Sequence, residues 1–308
     1  MPYKLGSMPS EQATQTEIAD YLEVQCLLSG DGFYSIVEAA EDSGLVEEED
    51  IVDSPEVDVY NGYADALLQI DIRNQYNGDR YPFEGGKKNI ALKEGVSEYY
   101  KTIYTFLLLA TRWKMDADRI VGNIDGTLLF ERLCKEVLLN YFGPKSKGLV
   151  FGTGSEDKGG FKLKVENMLH SFSEKGYFFR SPDGDRHHQK DGKIDLVAFI
   201  PFNDSRKGHF IAFGQCKTGT TWRDKLGQLN PNNFCRLYIQ PPLSFIPICI
   251  YMVCEACEDE WEELSVKSSG ILFDRTRIMD NLPDKMDPAI YNDIVTWVTG
   301  IKQKFVST

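Results

Sequence analysis

Two apolar runs, KIDLVAF and HFIAFGQCKTG, carry polar residues where hydrocarbon would be expected: Asp195 in the first, Gln215 and Lys217 in the second. A carboxylate among apolar neighbours is costly unless a cation or a metal neutralises it. Gln215 and Lys217 are two residues apart, so a strand projects both from one face. In a meander of neighbouring strands, Asp195 lies beside the end of the strand that carries them. A carboxylate oxygen suits a hard divalent ion, and the backbone carbonyl of Cys216 offers a second oxygen. An ammonium at Lys217 can then orient or deprotonate an attacking water, or offset charge on a phosphoryl group in the transition state. The plain structural alternative is a buried Asp195–Lys217 ion pair with no ion bound.

The elements that must position these residues can be read from periodicity. GYFF with RS, then KIDLVAFI, then HFIAFGQCK predict three successive strands, the last two joined by a hairpin through the turn formers of PFNDSRKG. FKLKVENMLHSFSEKG predicts a helix before them, stopped by Gly176. TWRDKLGQLNPNNFCRLYI predicts a helix interrupted at Pro231, and SFIPICIYMVC a buried strand. The order helix, three strands, helix, strand gives a mixed α/β core. Upstream, TLLFERLCKEVLLNYFG is an amphipathic helix, and KSKGLVFGTGSEDKGG reads as a Gly-rich loop. That loop lacks the Gly-Lys-Ser/Thr ending of a nucleotide-phosphate cradle.

The chain has 308 residues and a net charge of -13. Length predicts two domains. Residues 1–122 hold 10 Lys+Arg against 23 Asp+Glu, whereas 123–308 are balanced at 24 of each. The first part predicts a mainly helical, acidic domain, with helices near 11–29, from Ser35, over GYADALLQIDIRNQYN and over EGVSEYYKTIYTFLLLATRWKM. RYPFEGGKKNIAL reads as loop, and VEEEDIVDSPEVD as an acidic connector. Its acidic character is expected to be a solvated face; the sharper reading is a docking surface for a basic partner or a mask over a DNA groove. Residues 1–7 read as a tag remnant. No apolar run reaches the ~18 residues of a membrane span, and no charged-then-apolar leader opens the chain. Seven scattered cysteines argue against a disulfide framework and for a reducing cytoplasm. Cys254 and Cys257 form a CxxC without a second pair, hence ordinary buried thiols.

The run GYFF…DGKIDLVAF…IAFGQCKTG resembles the PD-(D/E)xK nuclease superfamily, and within it the Mrr-like restriction endonucleases. In that branch glutamine often replaces the acid of the last motif to give QxK, here Gln215-Cys216-Lys217. Its glycine–apolar–aspartate pattern is matched by Gly192, Ile194 and Asp195, with Lys193 interposed. The resemblance covers about residues 125–255 and leaves the N-terminal 120 or so uncovered. It implies a restriction-endonuclease-like mixed sheet core flanked by helices over 123–308, classed as α+β or α/β, behind the acidic helical domain of 1–122. It also implies Mg²⁺ or Mn²⁺ held by Asp195, a helix glutamate and the Cys216 carbonyl, with Gln215 positioning the water or the lysine. Two glutamates compete: Glu166 by its spacing to GYFF, and Glu131 by its Phe-Glu pair. Spacing favours Glu166 slightly, and both stay open; the alternative for either is a solvent-facing helix residue.

Phosphate contacts are expected from Lys162, Lys164, Arg180, Arg186, Arg223 and Lys225, with Lys145, Lys147 and Lys158, against the alternative of ordinary surface charge. His187 and His188 sit in the polar loop SPDGDRHHQKDG, which suits a contact to substrate phosphate better than metal ligation; Asp183 and Asp185 are acids of the same loop. The expected activity is Mg²⁺-dependent hydrolysis of DNA, most readily double-stranded, leaving 5′-phosphates. By analogy alone, the setting is bacterial anti-phage defence or restriction, with a separately encoded ATPase or helicase, no membrane partner, and possible self-association. The alternatives are a non-catalytic nucleic-acid or protein-binding module on a nuclease scaffold, or an RNase.

Overall fold

A computed structural model describes residues 9, 13–42, 56–152, 159–180, 192–204 and 206–306. The first helix, α1 (Gln15–Leu28), begins at a capping box in which the Thr14 hydroxyl accepts the Glu17 N–H and the Glu17 carboxylate accepts that of Thr14. It is followed by β1 (Phe33–Ser35), α2 (Ile36–Asp42) and the long α3 (Glu56–Asn77). The segment expected to be loop at 80–92 instead forms a hairpin of β2 (Phe83–Gly85) and β3 (Asn89–Leu92), and β1 adds to its other edge. Three- and four-residue strands are too short to show a period, so the sequence pattern missed them. α4 (Glu98–Arg112) is buried along its second half, as its apolar run predicts. The expected boundary near 120–126 is a small ribbon, β4 (Ile120–Val121) with β5 (Ile124–Asp125).

The main sheet is built after that ribbon. α5 (Gly126–Phe142) starts at Asp125, whose side chain accepts the Thr127 N–H. It leads into β6 (Lys147–Val150), which the sequence reading left inside a Gly-rich loop. α6 (Phe161–Ser171) and β7 (Tyr177–Phe178) come next, then β8 (Leu196–Ile200), β9 (Phe210–Lys217), α7 (Pro231–Tyr238), β10 (Ile239–Gln240), β11 (Ile248–Val253), α8 (Trp261–Lys267), β12 (Ile271–Phe273), α9 (Arg275–Asp280) and α10 (Pro288–Val306). Five strands run in the order β12-β11-β9-β8-β6. β6, β8 and β9 form an antiparallel meander, and β11 and β12 continue it in parallel.

Three sequence expectations shift here. The GYFF strand, β7, pairs with β10 in a separate ribbon, and β6 takes its place beside β8. α6 ends at Ser171 with Phe172 as its C-cap, not at Gly176, and Ser173 follows in the left-handed region at φ 60°. Pro231 opens α7 rather than interrupting a helix, because its missing N–H costs nothing at the first helical position. Before it, only a 3-10 turn at Arg223–Lys225 forms.

The two faces of the sheet bury different neighbours. Val197, Phe199, Ile211, Phe213 and Tyr251 pack with α6, α7 and Trp222. Leu196, Ala198, Ala212, Cys216 and Met252 face α5 and join one continuous core running from Ala19 to Ile301. That core does not stop at residue 122, so the expected N-terminal domain shares its interior with the sheet and α10. All seven cysteines are free and buried. No described helix is long and apolar enough to cross a membrane.

Part of the acidic side of α1, expected to be solvated, is buried instead. Asp20 and Glu23 are both fully inaccessible. Asp20 accepts from Arg112 Nε at 2.7 Å, Arg275 Nη1 at 2.8 Å and Arg73 Nη1 at 2.9 Å. Glu23 accepts from Arg73 Nη1 at 2.7 Å and from the hydroxyls of Tyr81 at 2.6 Å and Tyr104 at 2.8 Å. Burial by itself would raise the Asp20 carboxyl, but the guanidiniums of Arg275, Arg112 and Arg73 hold it well below the ordinary carboxylate range. The sequence could not show this, since the arginines arrive from α3, α4 and α9.

Two outcomes follow for stability. Arg275→Met strands the Asp20 charge in the core and lowers the unfolding free energy by about 3–5 kcal/mol in urea denaturation, while Lys267→Ala on the surface leaves the midpoint where it was. Asp274, buried where it caps α9, is pushed up to about 6, first by burial and then by Glu258. A carboxyl raised in the folded state is more easily protonated there, so its penalty is absent below the unfolded value and complete above about 6. Asp274→Asn, which keeps a capping oxygen, therefore gains stability relative to the unaltered protein as pH rises from about 4 to about 7, as read by urea midpoints across that range.

Candidate active site

Asp195 sits one residue before β8, and backbone bonds fix it on both sides. Its N–H donates to the Gly214 carbonyl at 2.9 Å, and its carbonyl accepts the N–H of Phe151 at 2.8 Å and of Gly152 at 3.3 Å. The approach to this position is a left-handed pair, Gly192 at φ 60° and Lys193 at φ 65°. Gly192 is obligatory: a Cβ there would stand 2.4 Å from the Phe234 ring. The Asp195 carboxylate then reaches across to β9, where Oδ2 accepts the Cys216 N–H at 2.8 Å and lies 3.6 Å from Lys217 Nζ. The two side chains are 14% and 23% exposed, so the pair sits at the rim of the core, within reach of a substrate.

Strand alternation sorts the rest. The Cys216 N–H points toward Asp195, so its carbonyl points to the same β8 side. Its thiol goes to the opposite face and meets that of Cys134 on α5. Burial pushes both thiols up, which makes them poor nucleophiles. Gln215, between Gly214 and Cys216, is fully buried, and neither atom of its amide has a hydrogen-bond partner among the described residues. An unsatisfied buried amide is expensive, about 1–3 kcal/mol per group.

The two candidate glutamates part company. Glu131 is buried on α5, close enough that its charge raises the thiols of Cys134 and Cys216. Glu166 is only partly covered on α6, where its carboxylate lies 3.8 Å from Lys162 one turn earlier. Glu131 thus lies on the face of the sheet that receives the Cys216 thiol, opposite to the Gln215 and Lys217 side chains, and the structure singles out neither glutamate as the neighbour of Asp195.

The expected phosphate contacts are dispersed. Lys164 is spent on the carbonyl of Gly152 at 2.7 Å, which steadies the turn after β6. Arg223 lies over the Trp222 ring and pairs with Glu255 and Glu260, so it braces a loop instead of facing solvent freely. Lys145, Lys147, Lys162, Arg180 and Lys225 are exposed. Lys158, Asp183, Asp185, Arg186, His187 and His188 lie outside the described residues. Sequence reasoning missed Glu255, which is buried, accepts Trp222 Nε1 at 2.8 Å and stands 3.6 Å from Arg112. No local pattern marks it, since its partners come from other elements.

A hard divalent ion fits this donor set in part. Gly152 lies against Asp195 Oδ1, where a Cβ would come within 3.2 Å of it, so a side chain at 152 would crowd the carboxylate. With the Cys216 carbonyl nearby, the donors are oxygens, as Mg²⁺ prefers, and Mg²⁺ asks for only one or two carboxylates beside water and phosphate. Among the described residues no group of three or more His, Cys, Asp or Glu side chains forms a metal cage. No family model, curated protein or solved structure matches the chain.

The orphaned amide gives a direct check. Gln215→Leu removes two unsatisfied buried groups at similar volume and raises the unfolding free energy by about 1–3 kcal/mol, measured by urea denaturation.

Proposed function

We propose that the chain is a metal-dependent nuclease that hydrolyses DNA phosphodiester bonds at the Asp195–Lys217 site. The observation that carries this reading is the single carboxylate, Asp195, held by the Cys216 N–H at 2.8 Å with the Lys217 ammonium 3.6 Å away, at the adjoining ends of β8 and β9. The sheet supports it as well: the antiparallel meander β6, β8 and β9 is continued in parallel by β11 and has helices on both faces, compatible with the mixed core flanked by helices that the resemblance implies.

In this reading Asp195 and the Cys216 carbonyl hold the ion together with one helix glutamate, Glu131 or Glu166. Mg²⁺ when bound supplies charge neutralisation on the phosphoryl group and acidifies water. Lys217 donates to the scissile phosphate or orients the attacking water, and its charge offsets the negative charge that builds in the transition state. Gln215 remains polar at the expense of stability, as a residue selected for positioning would be. Phosphate contacts fall to the exposed Lys145, Lys147, Lys162, Arg180 and Lys225. Because the overall charge is -13, weak intrinsic DNA affinity supports a separately encoded ATPase or helicase partner in an anti-phage setting.

Purified protein with Mg²⁺ or Mn²⁺ is expected to cleave plasmid DNA. Lys217→Ala and Asp195→Asn each lower the rate by about 10²–10⁴-fold with circular dichroism unchanged. Whichever of Glu131→Gln and Glu166→Gln removes the activity identifies the helix glutamate that serves the ion. Intact DNA and intact RNA after incubation of folded protein with either ion would sink the proposal, and cleavage of RNA alone would move it to an RNase.

A further inference from the structure

The small ribbon of β7 and β10 presents two aromatic rings to solvent. Its register pairs Phe178 with Ile239 and Tyr177 with Gln240, and the Phe179 N–H extends it by donating to the Tyr238 carbonyl at 2.9 Å. Strand alternation turns Phe178 inward, where it lies parallel to the Tyr238 ring with centroids 6.3 Å apart and meets Phe161 edge-on at 5.8 Å. Tyr177 and Phe179 share the outer face and are 53% and 36% exposed. Two residues along a strand separate them by about 7 Å, so each ring can receive its own planar group. The ribbon is also anchored to the candidate site. Phe161 meets Phe151 at 6.3 Å, and the Phe151 N–H donates to the Asp195 carbonyl at 2.8 Å.

The charge around the two rings is of one sign. Lys175 and Arg180 bracket them, and both are exposed. The sequence holds no Asp or Glu from 175 to 180, or from 225 to 250 through α7 and β10, in a chain whose net charge is -13. Glu174, next before Lys175, is buried and accepts the Gly208 N–H at 3.1 Å. On α6, which packs against β7, the one acid is Glu166, and it lies 3.8 Å from Lys162. Gln240, opposite Tyr177, is exposed and neutral.

We propose that the outer face of this ribbon binds an unpaired strand of DNA, with bases stacked on Tyr177 and Phe179 and phosphates beside Lys175 and Arg180. Every base has a π face, so exposed rings flanked by cations take a single strand without regard to sequence. A duplex keeps its bases stacked on one another and offers the rings nothing. An apolar protein partner asks for a broader hydrophobic patch than two rings framed by charge and amide. The choice of DNA rests on the nuclease reading, but the binding itself needs no ion.

Fluorescence anisotropy in EDTA at low ionic strength, with a labelled oligothymidylate of about 20 nucleotides, tests it. Saturable binding is expected, tighter than that of a duplex of equal length. Tyr177→Ala/Phe179→Ala weakens it about tenfold or more, whereas Tyr177→Phe/Phe179→Tyr, which keeps both rings, preserves it. An abasic strand of the same length binds about tenfold more weakly, and this comparison decides if the alanine pair fails to fold by its urea midpoint. Lys175→Ala/Arg180→Ala flattens the salt dependence. No binding, binding unaltered in a folded alanine pair, or equal binding of the abasic strand or the duplex overturns the proposal. So does a preference for oligouridylate or for phosphatidylserine vesicles. Oligothymidylate bound with plasmid left intact in Mg²⁺ and Mn²⁺ removes the nuclease reading and keeps the ribbon; plasmid cleavage without that binding does the reverse.

Discussion

Two carboxylates that never meet water, Asp20 and Glu23 on α1, hold the far parts of this chain together. Three arginines from α3, α4 and α9 converge on them, with Tyr81 and Tyr104 completing the shell. Such a cluster adds little net stability over a packed apolar core, but each member becomes indispensable once the others are buried. Its consequence is geometric. Arg275 also donates to the Cys254 carbonyl at 2.9 Å, and the Cys254 N–H reaches the Lys217 carbonyl at 3.4 Å. Arg112 stands 3.6 Å from Glu255, which in turn holds Trp222 and Arg223 in the loop after Lys217. The strand end that carries the candidate chemistry is thereby tied to helices some two hundred residues earlier.

The candidate site is the counterpart of that cluster. Where Asp20 is fully inaccessible and surrounded by guanidinium, the Asp195 side chain is 14% exposed, accepts the Cys216 N–H and lies 3.6 Å from the Lys217 ammonium. Gln215 differs from both: an amide held in the interior with no hydrogen-bond partner among the described residues is a cost that packing alone would not retain.

Much of the site was legible from sequence because strand periodicity is local. The alternation in HFIAFGQCK puts Gln215 and Lys217 on one face and Cys216 on the other, and the turn formers of PFNDSRKG bring Asp195 back against them; the structure keeps both features. The helix–strand order was also readable, yet one member was misassigned. β6 has four residues, two of them Lys147 and Gly148, and an edge strand needs no second neighbour to reward an apolar pattern. With β6 hidden, the aromatic GYFF run was expected beside β8, where the structure places β6.

The sequence by itself determined the local periods and the polar residues that interrupt two apolar strands, because each depends on neighbours a few residues away. Only the tertiary structure decided that the acids of α1 are interior, that the Cys216 thiol meets α5, and that Arg223 is held by Glu255. Those outcomes rest on pairings between residues 30 to 250 positions apart, whose partners are chosen by charge and distance in the folded state and leave no period along the chain.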